Sequence, residues 1–195
     1  MKQLHSITFA FLIFLSLIAI RTSAQTDYVI SNDGTKTMGE VKKYNVKSLK
    51  FVPAGQKKAV KYNPEQVNEF YKAGDGTFRS IALNTNNRPF LHVLEDGKIK
   101  LYEYLVNGQT GPTFNGTGGF MSPGYSYSKQ RWYAQKNGGD LVEVKSNGIW
   151  GSRKDRKNAF SDLISDNEHV LQRYKNEDKF TFDFVRSLVV EYNGK

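Results

Sequence analysis

The chain contains no cysteine. Disulfides, a thiol nucleophile and a thiolate metal site are excluded at once, and the fold must be held by its apolar core. Histidine is nearly as scarce. Apart from His5 at the extreme N-terminus there are only His92 and His169, and neither has a second histidine at metal-ligand spacing. Nucleophile elbows, phosphate-binding loops and zinc-protease signatures are missing as well. The sequence therefore predicts neither a metal nor a cofactor. Long apolar runs are confined to the first twenty residues, so no later segment is expected to cross a membrane as a helix. A membrane barrel needs strands with an apolar outward face. Here the expected outward positions carry Lys42, Lys47, Lys50, Lys98 and Lys100.

The one apolar run, Ile7 to Ile20, is 14 residues long and follows Lys2. As a helix rising about 1.5 Å per residue it spans roughly 21 Å, short of the ~30 Å hydrocarbon core. With the small residues Thr22-Ser23-Ala24 behind it, the segment reads as a signal peptide over residues 1–24, cleaved near Ala24-Gln25. The expected destination is the periplasm or the extracellular space. With no cysteine after the run, a lipid-anchored lipoprotein is excluded. The full chain has a formal charge of +9, and removal of Lys2 and Arg21 with the leader leaves +7. In an exported protein that charge points away from nucleic acid. It points towards lipid headgroups, acidic polysaccharide or cell-wall polymer, or simply to lysines solvating strand faces.

Turn dipeptides punctuate the remaining chain: Asp33-Gly34, Asp75-Gly76, Asp96-Gly97, Asn137-Gly138 and Asn147-Gly148. Such pairs supply the positive-φ residues of two-residue hairpins. Between them lie short Val-, Ile-, Leu-, Phe- and Tyr-rich runs, the pattern of an antiparallel meander. The expected class is α+β, mainly β: an antiparallel meander with a small SH3-like barrel, followed by short C-terminal helices packed on the sheet. The barrel-like region would be 25–72, with a helical turn opened by Asn63 and Pro64. A second antiparallel region would be 73–151 and a helical region 152–195, all folding as one unit. In the helical region Ser152 and Ser165 both begin capping-box patterns, and Thr181 caps a third helix that Gly194 ends.

Three stretches resemble a group of small, exported, functionally uncharacterised proteins common in the Bacteroidota. They are Tyr28-Val29-Ile30 with Asp33-Gly34 and Gly39-Glu40-Val41; Leu94-Glu95-Asp96-Gly97 running on to Tyr104; and a tail with Arg156-Lys157, Phe160, Asp166-Asn167-Glu168, Leu188-Val189 and Tyr192-Asn193. The resemblance implies a compartment, not an activity, and brings no catalytic residues with it.

The candidate sites are correspondingly few. Residues 108–130 carry six glycines and two prolines among Phe114, Phe120, Tyr125 and Tyr127. This is too long for an ordinary connection and reads as a mobile or binding loop. With Trp132 and Tyr133 these aromatics form a candidate surface for an envelope polysaccharide or an envelope protein, since such faces stack on sugars and pack into clefts. Arg153, Lys154, Arg156 and Lys157 form the densest basic cluster, a candidate contact for an anionic surface or a solvated helix start. Two functions follow: a non-enzymatic envelope-binding or accessory protein acting through the aromatic segment, or a hydrolase of envelope polymer using carboxylates such as Glu95 and Glu103. An accessory subunit pairing through a sheet edge is a third. His92 is expected to be a half-buried sheet residue.

Overall fold

A computed structural model of the protein describes residues 26–148 and 151–195. The expected leader, its cleavage point and Gln25 lie outside the described residues. The strands are β1 (Tyr28–Ser31), β2 (Lys36–Asn45), β3 (Ser48–Pro53), β4 (Val60–Tyr62), β5 (Val67–Lys72), β6 (Gly76–Ser80), β7 (Phe90–Glu95), β8 (Ile99–Gln109), β9 (Thr113–Phe114), β10 (Phe120–Ser122), β11 (Ser126–Lys136) and β12 (Leu141–Ser146). The helices α1 (Arg153–Leu163), α2 (Glu168–Lys175) and α3 (Phe182–Tyr192) follow.

Ten strands form one antiparallel sheet in the order β12-β11-β8-β7-β6-β5-β1-β2-β3-β4, and β9 pairs separately with β10. The mainly β class with C-terminal helices is as expected, but the N-terminal barrel is not. The order is open, with β4 and β12 at its ends. The reason is that β1 pairs with β2 on one side and β5 on the other, so the chain returns across β1 after Asn63–Gln66 and carries the sheet onward. Instead of closing, β2–β4 curl over the sheet. A register shift between Val41 and Lys43 supplies the bend, and the Phe90 N–H donates to the Val46 carbonyl at the curl's far side, 2.9 Å.

The turn chemistry is mixed. Asn137 (φ 49°) and Gly138 (φ 75°) form the left-handed pair that joins β11 to β12. Gly97 and Gly148 are not at positive φ, and the segment after Gly148 leads into α1 rather than a returning strand. The helices begin where side chains satisfy their free N–H groups. Ser152 accepts from Asp155, and Thr181 from Phe184; the second helix is capped by Asn167, accepting from Val170, rather than by Ser165.

Two covers share one face of the sheet. At one end the helices bury Phe160, Ile164, Val170, Val185, Leu188 and Val189 against Ile99, Leu101, Trp132, Ala134 and Val144. At the other, the curl buries Val41, Leu49 and Phe51 against Val29, Phe70 and Phe90. The opposite face has only a smaller cluster of Leu91, Tyr102 and Tyr133.

Candidate functional site

Between the two covers a row of side chains crosses the sheet. Cross-strand partners Val29↔Phe70, Phe70↔Phe78, Phe78↔His92, His92↔Glu103 and Glu103↔Trp132 lie side by side on β1, β5, β6, β7, β8 and β11. Directly opposed residues share a face, so the row is continuous. Phe70 and Phe78 stack at 4.8 Å, and Phe78 and His92 at 4.8 Å. His92 is half-buried, as expected, with Nδ1 at 3.8 Å from Glu103 Oε2. At that separation the contact is electrostatic rather than a hydrogen bond. Glu103 Oε1 accepts from Gln130 Nε2 at 2.6 Å and Trp132 Nε1 at 3.0 Å. His92 first, then Trp132 and Gln130, outweigh burial and hold the carboxyl at about 2.

A cleft of about 270 Å³ opens over this row, walled by Tyr44, Phe78, Phe90, His92, Glu103 and Leu105. Tyr44 donates to Asp75 at 2.8 Å, and burial followed by that carboxylate raises its phenol. Carboxylate chemistry is poorly served here. A carboxyl held at about 2 is ionised at neutral pH and cannot act as a general acid. Glu95 is also committed, to Arg186 at 2.8 Å and Lys195 at 3.4 Å. Asp166 accepts from Lys136 and Tyr192. Among the described residues no group of three or more His, Asp or Glu is placed to hold a metal ion. Exposed His169 pairs with Glu191 at 3.0 Å.

The aromatic candidates divide. Trp132 (5% exposed) and Tyr133 (9%) do not belong to a stacking surface. They are adjacent in sequence and so face opposite sides of β11, and both sides are covered there. Trp132 packs edge-on to Phe182 at 4.9 Å, while Tyr133 lies in the far-face cluster. Phe114 (59% exposed), Phe120 (64%), Tyr125 (64%) and Tyr127 (37%) remain exposed, joined by Met121 (66%).

These five side chains sit on an arm rather than a loop. β8 and β11 pair without interruption from Ile99↔Lys136 to Gln109↔Ser126. Thr110 and Tyr125 continue the pairing, and β9–β10 form a small hairpin at the end. Between Tyr102 and Trp132 no residue is buried. Glycine and polar residues disguise these strands in the sequence, yet the arm's geometry needs two of the glycines. Tyr127 lies across Gly108, its cross-strand partner, where a Cβ would come within 2.5 Å of the ring. A Cβ on Gly124 would overlap the Thr110 carbonyl oxygen.

The basic cluster is partly engaged. Arg156 pairs with Glu143 at 3.2 Å, and Lys157 lies over the Phe180 ring at 5.9 Å. Arg153 and Lys154 are exposed and form no ion pair among the described residues. Among the described residues no helix is long and apolar enough to cross a membrane. Comparison of the chain with family models, curated proteins and solved structures finds no match.

Proposed function

We propose that this is an exported, non-enzymatic binding protein of the cell envelope whose recognition element is the β8–β11 arm. The observation that carries the reading is the exposure of Phe114, Phe120, Met121, Tyr125 and Tyr127 on one projecting hairpin. Soluble monomers rarely leave large apolar side chains grouped in this way unless they meet a partner. Nothing in the body needs them, because both faces of the sheet have cores of their own. The hydrolase alternative has less support, since Glu95 and Glu103 are engaged in holding the fold.

The test is capture from a detergent extract of the native envelope by the exported chain and by a variant in which 110–125 is replaced by Asn-Gly. The replacement closes the hairpin at the paired residues Gln109 and Ser126 with a turn suited to it. The variant is expected to melt like the parent, because no buried residue is removed, and to retain nothing from the extract. Equal capture by both forms refutes the arm as the recognition element.

A further inference from the structure

We propose that the arm's partner is the surface of a lipid bilayer carrying anionic headgroups, into which the tip inserts shallowly. This deepens the binding role proposed for the arm and rests on it.

Four independent features of the arm agree. The first is charge. Residues 107–128 contain no Asp, Glu, Lys, Arg or His, in a chain of which 24% is Asp, Glu, Lys or Arg. Acidic polymers are gripped by cations, which this stretch lacks, whereas charged groups are the ones a hydrocarbon boundary rejects.

The second is the fate of the backbone. A segment entering lipid must satisfy its polar groups internally. At the tip, four of the five N–H groups from Asn115 to Gly119, all but that of Gly116, are bonded within the turn. Asn115 donates to the Gly119 carbonyl at 2.8 Å, and Gly118 to the Asn115 carbonyl at 2.9 Å. The Asn115 side-chain oxygen accepts from Thr117 N–H at 3.2 Å and Gly119 N–H at 2.6 Å, and also from the Thr117 hydroxyl at 2.9 Å. A turn that binds sugar or protein through its backbone would leave such groups available.

The third is the order of side chains along the arm. Phe114, Phe120 and Met121 lie at the end, with the two phenyl rings edge-on at 6.0 Å. Tyr125 and Tyr127 stand behind them, and Lys129 comes next, its ammonium 5.5 Å from the Tyr127 ring. Apolar tip, tyrosine collar and cation is the sequence of environments met on leaving hydrocarbon through the interfacial layer into the headgroups.

The fourth is the shoulder from which the arm springs. β12 ends there, with Ser146 opposite Arg131, and the chain then enters α1 at Arg153 and Lys154. Arg131 shares Glu143 with Arg156. Lys129, Arg153 and Lys154 pair with no carboxylate among the described residues; Lys129, on the arm itself, is left to face anionic headgroups, while Arg153 and Lys154 stay behind at the shoulder and add to the positive field on that side of the body.

Co-flotation with vesicles tests the proposal. The exported chain is mixed with phosphatidylcholine vesicles, or with phosphatidylcholine vesicles containing about one-third phosphatidylglycerol. Burying a phenyl group is worth about 1.5–3 kcal/mol, so Phe114→Ser with Phe120→Ser should lower the partition coefficient more than a hundredfold. Lys129→Gln should lower it roughly fivefold on the anionic vesicles alone, from about 1 kcal/mol per cation near such a surface, whereas Lys154→Gln, at the shoulder and beyond the screening length from a bilayer met by the tip, should leave it unchanged. A separate Phe120→Trp variant should show a blue-shifted emission component on adding anionic vesicles. Thermal melts confirm that the variants remain folded. Flotation equal to the parent in the Asn-Gly arm replacement, or no flotation on either vesicle, overturns the proposal. If flotation fails while arm-dependent capture from detergent extract persists, the arm binds a protein or polymer and only the lipid assignment falls. If both fail, the binding role falls with it.

Discussion

Glu103→Gln should change the acid limb of the stability curve more than any other single carboxylate substitution in the cleft. Each tenfold change in proton affinity corresponds to about 1.4 kcal/mol. A carboxyl that titrates at about 2 when folded and at 4.5 when unfolded therefore supports roughly 3 kcal/mol of stability. The sign follows from the depressed folded value. The contribution is complete above the unfolded value of 4.5 and is lost as the pH falls through it towards about 2. The glutamine side chain keeps a carbonyl oxygen for Trp132 and Gln130 but loses the charge that faces His92. At pH 5.5 the variant should unfold more easily than the parent. The gap should close as acid is added, because a protonated carboxyl and an amide are nearly alike in shape. Urea unfolding followed by tryptophan fluorescence at several values between pH 5.5 and 2.5 measures this, with Trp132 reporting from beside the substituted group. Parallel profiles for the two proteins would show that Glu103 is not held in its charged form, and the row from Phe70 to Trp132 would lose its electrostatic link.

Two further substitutions test how the body is fastened. Asn193, just past α3, donates its side-chain amide to the Ile99 carbonyl at 2.8 Å and accepts from the Ile99 N–H at 2.9 Å, acting as a short piece of neighbouring strand. Asn193→Ala should cost about 2 kcal/mol and lower Tm by roughly 4–8 °C; an unchanged melt would mean the helix docks without this clasp. Asp27 accepts from Val41 N–H at 2.8 Å and Ala73 N–H at 2.7 Å. Burial alone would raise its carboxyl, but the Ala73 and Val41 N–H groups and Lys72 outweigh it and lower it. Asp27→Asn sets an NH₂ against one of two donors, so amide-exchange protection at Val41 and Ala73 should fall markedly, and equal protection would refute the role.

Much of the body was legible because it rests on local rules. Leu49 and Phe51 alternate with Ser48 and Lys50, the period-2 pattern of a strand with one buried face, and both are buried. Ser152 and Thr181 marked helix starts, since capping needs only residues three apart. The failures are all non-local or masked. Nothing in Tyr28–Ser31 says that it will pair on both sides, so the return of β5 across it, and hence the open sheet, could not be read. Ser165 lost to Asn167 because both fit a cap and only packing of the helix chooses. Trp132 and Tyr133 looked like a continuation of the exposed aromatics, but alternate residues of one strand face different neighbours. The row through His92 and Glu103 joins residues from six strands, and its only local sign was a glutamate on an otherwise aliphatic strand face.

The arm follows from one strand pair doing two different things along its length. From Ile99 to Glu103 and from Trp132 to Lys136 the pair is covered by helices on one face. Beyond Leu105 no residue of the pair is buried, yet the ladder of backbone bonds continues to Gln109 and Ser126 without a shift in register. At about 3.4 Å per residue, Glu103 to Gln109 alone carries the pair ~20 Å outward. A flexible loop with the same composition would shield its phenyl rings against the nearest apolar surface. A hydrogen-bonded ribbon anchored in a close-packed core cannot fold back cheaply, because it would have to break that ladder. The pairing therefore holds Phe114, Phe120 and Met121 away from the three cores formed by the described residues. The fold keeps an unfavourable exposure at the tip, and the bilayer contact proposed above would relieve it.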